Sequence, residues 1–321
     1  MRHATFLGDG RIRIDQSNGP EPAPGEVLLR VAACALCGSD LRPWKRGWPL
    51  IPGHEIVGHV DQPGHRLHGR RCLVYIPAFC GRCESCRAGD THLCAEMPAL
   101  VGWQRPGGYA EALAVPEQCL IPVPDDIPTE LAPLLLDTIG TAGHGVRLAR
   151  KLVSDGPALV IGAGPIGLGA IMVLRQLGYG PIHVAELQAH RRDFATRFGA
   201  IPVDLAALKQ NFPLVIEATG KDAARQAGLE AVAPRGAVIQ LGESDAWAIN
   251  ETRPIRRKDF YYIRSFYFPL QEFGANVELL REAMPEYRQF VDARVPLDGL
   301  EELFGAFAAG QRIKPQLSFE T

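Results

Sequence analysis

Residues 158–178 read ALVIGAGPIGLGAIMVLRQLG, and what this stretch becomes decides the fold. From Gly156 to Leu174 there is no charged residue, close to the roughly 20 apolar residues that a membrane span requires. Four glycines and a proline between 162 and 169 argue against a span. They divide the stretch into a short β-rich run, a turn and a second apolar run. The turn has the form Gly162-x-Gly164-x-x-Gly167. In a strand–turn–helix setting the first glycine permits the tight turn and the second lets a pyrophosphate approach the backbone. The third lets the helix pack on the strand. Glycines also occur in turns that bind nothing, so the flanking sequence matters. The next β-rich run, IHVAEL (182–187), carries Glu186, 24 residues past Gly162. A carboxylate there either takes the ribose hydroxyls of an adenosine or is a solvated strand end. In the first role it repels a 2′-phosphate and favours NAD over NADP, a preference that Arg191 weakens.

Outward from this turn the pattern continues. LVIEATG (214–220) and AVIQLGE (237–243) are further β-rich runs, and HRRDFATRFGA (190–200) is an amphipathic segment between IHVAEL and LVIEATG. Strands alternating with helices mean βαβ units and a parallel sheet. The N-terminal part is different. PGEVLLRVAAC (24–34) alternates apolar and polar residues, and EIVGHV, RCLVYI and EALAV follow as short runs divided by Gly and Pro, the texture of an all-β module. Between the two textures, TELAPLLLDTIGTAGHGVRLARKL (129–152) reads as helical. Near the end, DGLEELFGAFAAG (298–310) reads as a helix with an Asp start and a Gly stop, followed by the strand-like PQLSF. The 321 residues allow about two domains. A hydrophobic share of 46% is ordinary for a globular chain, and a net charge of −2 gives no reason to expect a nucleic-acid partner or an anionic membrane surface.

The N-terminal MRHATFLGDGRIRID has no apolar core of the kind a secretory signal carries, so the expected setting is a reducing, cytoplasmic one. Eight cysteines in that setting are thiols or thiolates. Four of them fall at 80, 83, 86 and 94 in CGRCESCRAGDTHLC. This Cys-x2-Cys-x2-Cys-x7-Cys spacing can wrap four sulfurs around one tetrahedral zinc. With every position filled by protein, that zinc is structural and the chemistry lies elsewhere. Cys34, Cys72 and Cys119 sit in strand-like runs and read as small buried hydrophobes.

Cys37 and His54 lie apart from the cluster, in CGSD (37–40) and PGHE (52–55). With CGSD, PGHE, the four-cysteine run and the glycine turn in this order, the chain resembles the zinc-dependent alcohol and polyol dehydrogenases of the medium-chain dehydrogenase/reductase family. The resemblance extends to the closing FGAFAAGQRIKPQLSF. It implies a fold of α/β plus β type: a GroES-like β domain (1–138 and 268–321) with an inserted Rossmann domain, a doubly wound parallel sheet (139–267). It implies two zincs per chain. Carried over to this sequence, the catalytic zinc would be held by Cys37, His54 and Asp137, the last from LLLDTIGTAGHGV, with its fourth position open. Asp137 is otherwise a helix-surface charge. The same resemblance makes Ser39 the first station of a proton relay, unless it is only a turn hydroxyl. It makes Asp40 the partner of the second His54 nitrogen, and Glu55 a carboxylate behind the zinc or an alternate ligand. Thr141 would stand against the nicotinamide, and Gly162, Gly164, Pro165, Ile166, Gly167, Glu186, Arg191, Thr219, Leu241 and Gly242 would line the cofactor. The implied chemistry is hydride transfer from a zinc-activated alcohol to NAD.

Departures from the family pattern bear on the mechanism. Where many relatives read CGSDLH, this chain has Arg42, which cannot give up a proton. The relay therefore ends differently, or Arg42 contacts a phosphate of cofactor or substrate. His59 and His144 are not needed beside a complete ligand set. Trp44, Trp48 and Trp103 either form an aromatic wall at the substrate cleft or anchor loop packing. A secondary alcohol, a polyol or an amino-alcohol would each be consistent. Two other readings compete: a zinc-free quinone or enoyl reductase of the same superfamily, and a non-catalytic nucleotide-sensing zinc protein. YYIRSFYF (261–268) reads as an edge strand that could pair across a two-fold, in a homodimer or homotetramer.

Overall fold

The structure, a computed structural model, describes residues 1–244 and 246–319. The chain divides into two compact units. One comprises Met1–Leu136, Pro269–Gln271 and the chain from Ala283 onward; the other comprises Asp137–Phe268 and Glu272–Glu282. The sequence suggests a single return near 268, but the helix Phe273–Glu282 goes back to the second unit first. Charge explains this. Arg147 donates to Glu272 Oε2 and to Asn276 Oδ1, each at 2.6 Å, and His144 Nδ1 lies 3.0 Å from Glu272 Oε1. Burial alone would raise the Glu272 carboxyl, but these two partners outweigh it and hold the group below its usual range.

The second unit is built on a six-stranded sheet with every neighbouring pair parallel. Its spatial order is Ile201–Pro202, Ile182–Ala185, Ala158–Ile161, Phe212–Glu217, Val232–Gln240, Tyr261–Arg264. In sequence rank this is 3-2-1-4-5-6, the doubly wound dinucleotide-binding order, which places the crevice for a ligand at the C-terminal ends of the central strands. The central strands are buried on both faces, so they read as unbroken apolar runs rather than alternating ones. Leu159, Ile161, Phe212, Val215, Leu229 and Val238 form part of one core cluster. The uncharged stretch resolves into the strand Ala158–Ile161, a glycine turn and the helix Pro165–Gln176. Among the described residues no helix is long and apolar enough to cross a membrane.

In the first unit the strand Glu26–Ala35 is central. It pairs antiparallel with Gln316–Ser318, Glu55–Val60 and Ala112–Pro116. Its alternation stops where the register shifts between Val31 and Ala33, and Ala32 to Ala35 are all buried. Glu55–Val60 begins directly after His54, so that histidine is seated at the start of a central strand.

Two helical expectations change on folding. The segment 129–152 is not one helix. It is a 3-10 turn Ala132–Leu135, a π-turn Asp137–Thr141 and an α-helix Ala142–Arg150. Single π-turns inside helices are rare and recur at functional sites. Near the end, the helix Leu300–Ala308 is preceded by Gly299 at its N-cap. Asp298 lies in a 3-10 turn and pairs with Arg2 instead of capping.

The π-turn has an identifiable seat. A Cβ placed on Gly169 would lie 1.9 Å from the carbonyl oxygen of Thr138, so the nucleotide-site helix and the π-turn touch backbone to backbone. Gly169→Ala is therefore expected to cost about 1–3 kcal/mol through overpacking, or about 5 °C in thermal unfolding. Gly164→Ala is the control, since its Cβ would meet nothing within 4 Å; its melting temperature should stay at the wild-type value. Equal melting curves for the two variants would refute this packing.

Candidate metal centres and dinucleotide site

The four cysteines at 80, 83, 86 and 94 offer sulfur atoms that all lie within 4.8 Å of one another. Cys80 and Cys86 Sγ are 3.9 Å apart, as are Cys83 and Cys94 Sγ. Four sulfurs at about 2.3 Å from a central zinc stand about 3.8 Å apart along the tetrahedron edges. The observed spacing fits a metal, and none of the cysteines is in a disulfide. Backbone N–H groups point at the sulfurs: Cys83 and Arg82 donate to Cys80 Sγ at 3.2 and 3.4 Å, and Cys80 to Cys94 Sγ at 3.3 Å. Such donors stabilise thiolate. The N–H of Cys86 helps bring the Cys83 thiol down to about 6, whereas burial pushes Cys86 up to about 12. All four ionise together only around a cation. The surrounding loop holds just a four-residue helix and a 3-10 turn, and Thr91 Oγ1 ties it to Tyr75 and to the Leu270 N–H.

A second donor set is fully internal. Cys37, His54, Glu55 and Asp137 are all buried, and each offers a ligand atom within 4.8 Å of the others. Cys37 stands at the head of the 3-10 turn Gly38–Asp40. Asp137 opens the π-turn Asp137–Thr141. Asp40, also buried, organises the set. Its Oδ2 accepts from the Cys37 N–H at 2.9 Å and from the Tyr109 hydroxyl at 2.7 Å, and its Oδ1 lies 3.2 Å from His54 Nδ1. A carboxylate facing Nδ1 leaves Nε2 as the metal-facing nitrogen. Burial pushes the Tyr109 phenol well above its usual range, so it remains a donor to Asp40. Thr141 Oγ1 donates to Asp137 Oδ1 at 2.8 Å and orients that carboxylate. Ser39 is half-buried in the Cys37 turn.

The tryptophans separate into two groups. Trp103 lies 5.5 Å from the His54 ring, Trp48 meets Trp103 edge-on and donates from Nε1 to its carbonyl at 3.2 Å, and the Arg42 guanidinium lies over the Trp103 ring at 5.1 Å. Trp44 instead stacks on Phe304 as a packing anchor. His59 and His144 belong to neither donor set. Cys34, Cys72 and Cys119 are buried, which pushes Cys34 well above the usual thiol range, Cys72 to about 11 and Cys119 to about 12, so they stay protonated.

In the second unit, Gly162 has φ +93°, and a Cβ on Gly167 would stand 1.8 Å from the Gly162 carbonyl oxygen. Gly164 is the N-cap of the helix that begins at Pro165 and Ile166, with open space at its Cα where a phosphate can approach the helix N-terminus. Glu186 takes the Ala163 N–H on Oε2 at 2.7 Å and the Gln188 N–H on Oε1 at 2.8 Å. It directly follows the strand Ile182–Ala185, half-buried, and its carboxylate reaches the glycine turn. Arg191 is half-buried on the helix that follows. Thr219, Leu241 and Gly242 converge on a residue that sequence reasoning passed over. Glu217, fully buried, accepts on Oε1 from the N–H groups of Thr219 at 2.7 Å and Gly220 at 3.0 Å, and on its carbonyl from Leu241 and Gly242 at 2.8 and 3.0 Å. It ties two loops at the sheet's C-terminal edge. Lys314, buried and paired with Glu55, was also passed over. The sole signal was a lysine inside the apolar run IKPQLSF.

Two family models match the chain. The model of the alcohol dehydrogenase GroES-like domain matches residues 23–125, and that of the glucose dehydrogenase C-terminus matches residues 145–308. The L-threonine 3-dehydrogenase of Rhizobium etli (strain CIAT 652) is 36% identical over 223 residues, 66% of this chain; the chain spans 63% of that enzyme's length. The L-threonine 3-dehydrogenase of Anaeromyxobacter sp. (strain Fw109-5) is 31% identical over 94% of both chains. The solved structure of an alcohol dehydrogenase from Thermus sp. ATN1 superimposes over 100% of both chains with a TM-score of 0.89 at 26% identity.

Proposed function

Because the chain belongs to the zinc-type alcohol and polyol dehydrogenases of the medium-chain dehydrogenase/reductase family, we propose that it oxidises a secondary alcohol, polyol or amino-alcohol with NAD. The observation that carries this reading is the buried donor set of Cys37, His54 and Asp137, on the same chain as a dinucleotide-binding glycine turn. A zinc-free reductase has no use for these three donors together. The reaction removes a hydride and a proton from the alcohol, leaving a carbonyl compound and NADH. A zinc ion held by Cys37, His54 and Asp137 would supply a Lewis acid that lowers the alcohol's pKa toward neutrality, and bound nicotinamide would accept the hydride.

The chain's own residues do the rest. Asp40 fixes the His54 ring and the Cys37 turn, and Thr141 fixes Asp137. Ser39 takes the alcohol's proton and passes it to solvent, because the Arg42 guanidinium stays protonated and packs on Trp103. Glu186, held at the glycine turn, receives the adenosine ribose and repels a 2′-phosphate, which favours NAD over NADP. Trp48 and Trp103 bound the substrate beside His54. A second zinc would be held by Cys80, Cys83, Cys86 and Cys94 and would order their loop. The protein works in a reducing compartment such as the cytoplasm. The edge strand Tyr261–Arg264, with Tyr261 47% and Tyr262 38% exposed, pairs with a second copy in a dimer or tetramer.

The test is metal analysis together with NADH formation across a panel of secondary alcohols, polyols and amino-alcohols. About two zincs per chain are expected from the two ligand sets, with turnover of at least one member of the panel and faster reduction of NAD than of NADP. One zinc per chain and no turnover would leave a non-catalytic zinc protein.

A further inference from the structure

An open catalytic site needs three protein ligands, yet four donors surround this one. Glu55 offers a carboxylate oxygen within 4.8 Å of the Cys37, His54 and Asp137 atoms. A zinc bound by all four would be tetrahedral and closed, with no place for an alcohol. Something must decide between the two arrangements.

The deciding contact is an ion pair. Glu55 Oε1 is bonded to Lys314 Nζ, and both side chains are 0% exposed. Lys314 is not a wandering surface cation. Its own N–H donates to Asp292 Oδ1 at 3.2 Å and to the Phe290 carbonyl at 3.1 Å, and the Ile313 N–H donates to Asp292 Oδ2 at 2.9 Å. The chain thus delivers a fixed ammonium to the inner face of the donor set. Charge balance points the same way. The Cys37 thiolate and the buried carboxylates of Asp137, Glu55 and Asp40 carry four negative charges, against three positive ones from a zinc dication and one ammonium. Without the ammonium, a further buried carboxylate is left uncompensated beside a dication, the strongest cation within its reach.

We propose that Lys314 is a positioning residue that holds Glu55 out of the metal's coordination shell, and so reserves the fourth position for substrate. The inference rests on the proposed catalytic zinc site and goes beyond it, because it names what keeps that site open.

The experiment uses the full chain loaded with cobalt(II) in place of zinc. In the wild type, the visible absorption of the cobalt at the three-ligand site should respond to an added small ligand such as azide. In Lys314→Met, Glu55 closes the shell, so the spectrum changes and the response to azide is lost. Release of the metal to a chelator should then slow by about tenfold. Glu55→Gln added to Lys314→Met removes the competing carboxylate and should restore the azide response. Where Lys314→Met does not fold, Lys314→Gln keeps a donor to Glu55 without the charge and should shift the spectrum in the same direction. A wild-type spectrum and azide response in the folded Lys314 variant would overturn the proposal, as would a double variant that stays closed. A wild type that holds metal at the four cysteines alone would overturn the catalytic-zinc reading itself, a distinct result.

Discussion

Asp137→Ala is expected to lower kcat/KM at least about 1000-fold, since Lewis-acid stabilisation is worth several kcal/mol and each 1.36 kcal/mol is a factor of ten. The residue is buried and hydrogen-bonded to Thr141 and has no role in the hydrophobic core, so the loss should be chemical more than structural. Three readouts separate these causes. Zinc content should fall from two per chain toward one. The fluorescence of bound NADH should titrate as in the wild type, because the glycine turn, Glu186 and Glu217 are untouched. Asp137→Cys, which offers a thiolate in place of the carboxylate, should recover part of the metal and of the rate. Normal turnover in Asp137→Ala would remove Asp137 from the metal site, and with it the mechanism proposed for this chain.

The second large effect is expected at the four-cysteine loop. Between Cys80 and Cys94 the chain holds only Glu84–Arg87 as helix and Thr91–Leu93 as a 3-10 turn. Few apolar side chains are buried there, so little besides a metal can order it. Structural zinc binding is worth about 10–16 kcal/mol in small peptides, and in such sites it is folding free energy. Cys94→Ser removes the most buried ligand of the four. A loss of about 4 kcal/mol from a unit of this size corresponds to about 10 °C in the melting temperature. Thiol titration with an aromatic disulfide reagent gives a second reading: the wild type should react slowly, and the variant should expose its remaining loop cysteines within seconds. A variant that melts with the wild type and protects its thiols would mean that the loop is ordered without metal.

How far these sites can be read from residues alone depends on the distance over which each is encoded. The glycine turn is legible because strand, turn and helix follow one another within a single run, and each glycine has a local steric task. Glu55–Val60 lies where the run EIVGHV predicts a strand. The segment 129–152 misleads because its apolar spacing suits a helix, while backbone contact with Gly169 imposes the π-turn. The three tryptophans illustrate the same limit. They are close in sequence or loop character, but Trp44 faces Phe304 and Trp103 faces His54, a division made by packing.

Local signals were sufficient for the two-part organisation, the parallel sheet, the glycine turn and the cysteine cluster. In each case the chemistry is carried by residues a few positions apart, whose spacing is itself the geometry. Only the folded chain decided that Glu217 ties the Thr219 and Leu241 loops, that the Tyr109 hydroxyl meets Asp40 across 69 positions, and that Lys314 meets Glu55 across 259. These are buried charges, and a buried charge is tolerated only where a partner meets it. That partner is supplied by whatever distant segment the fold brings alongside, and no spacing or periodicity along the chain records it.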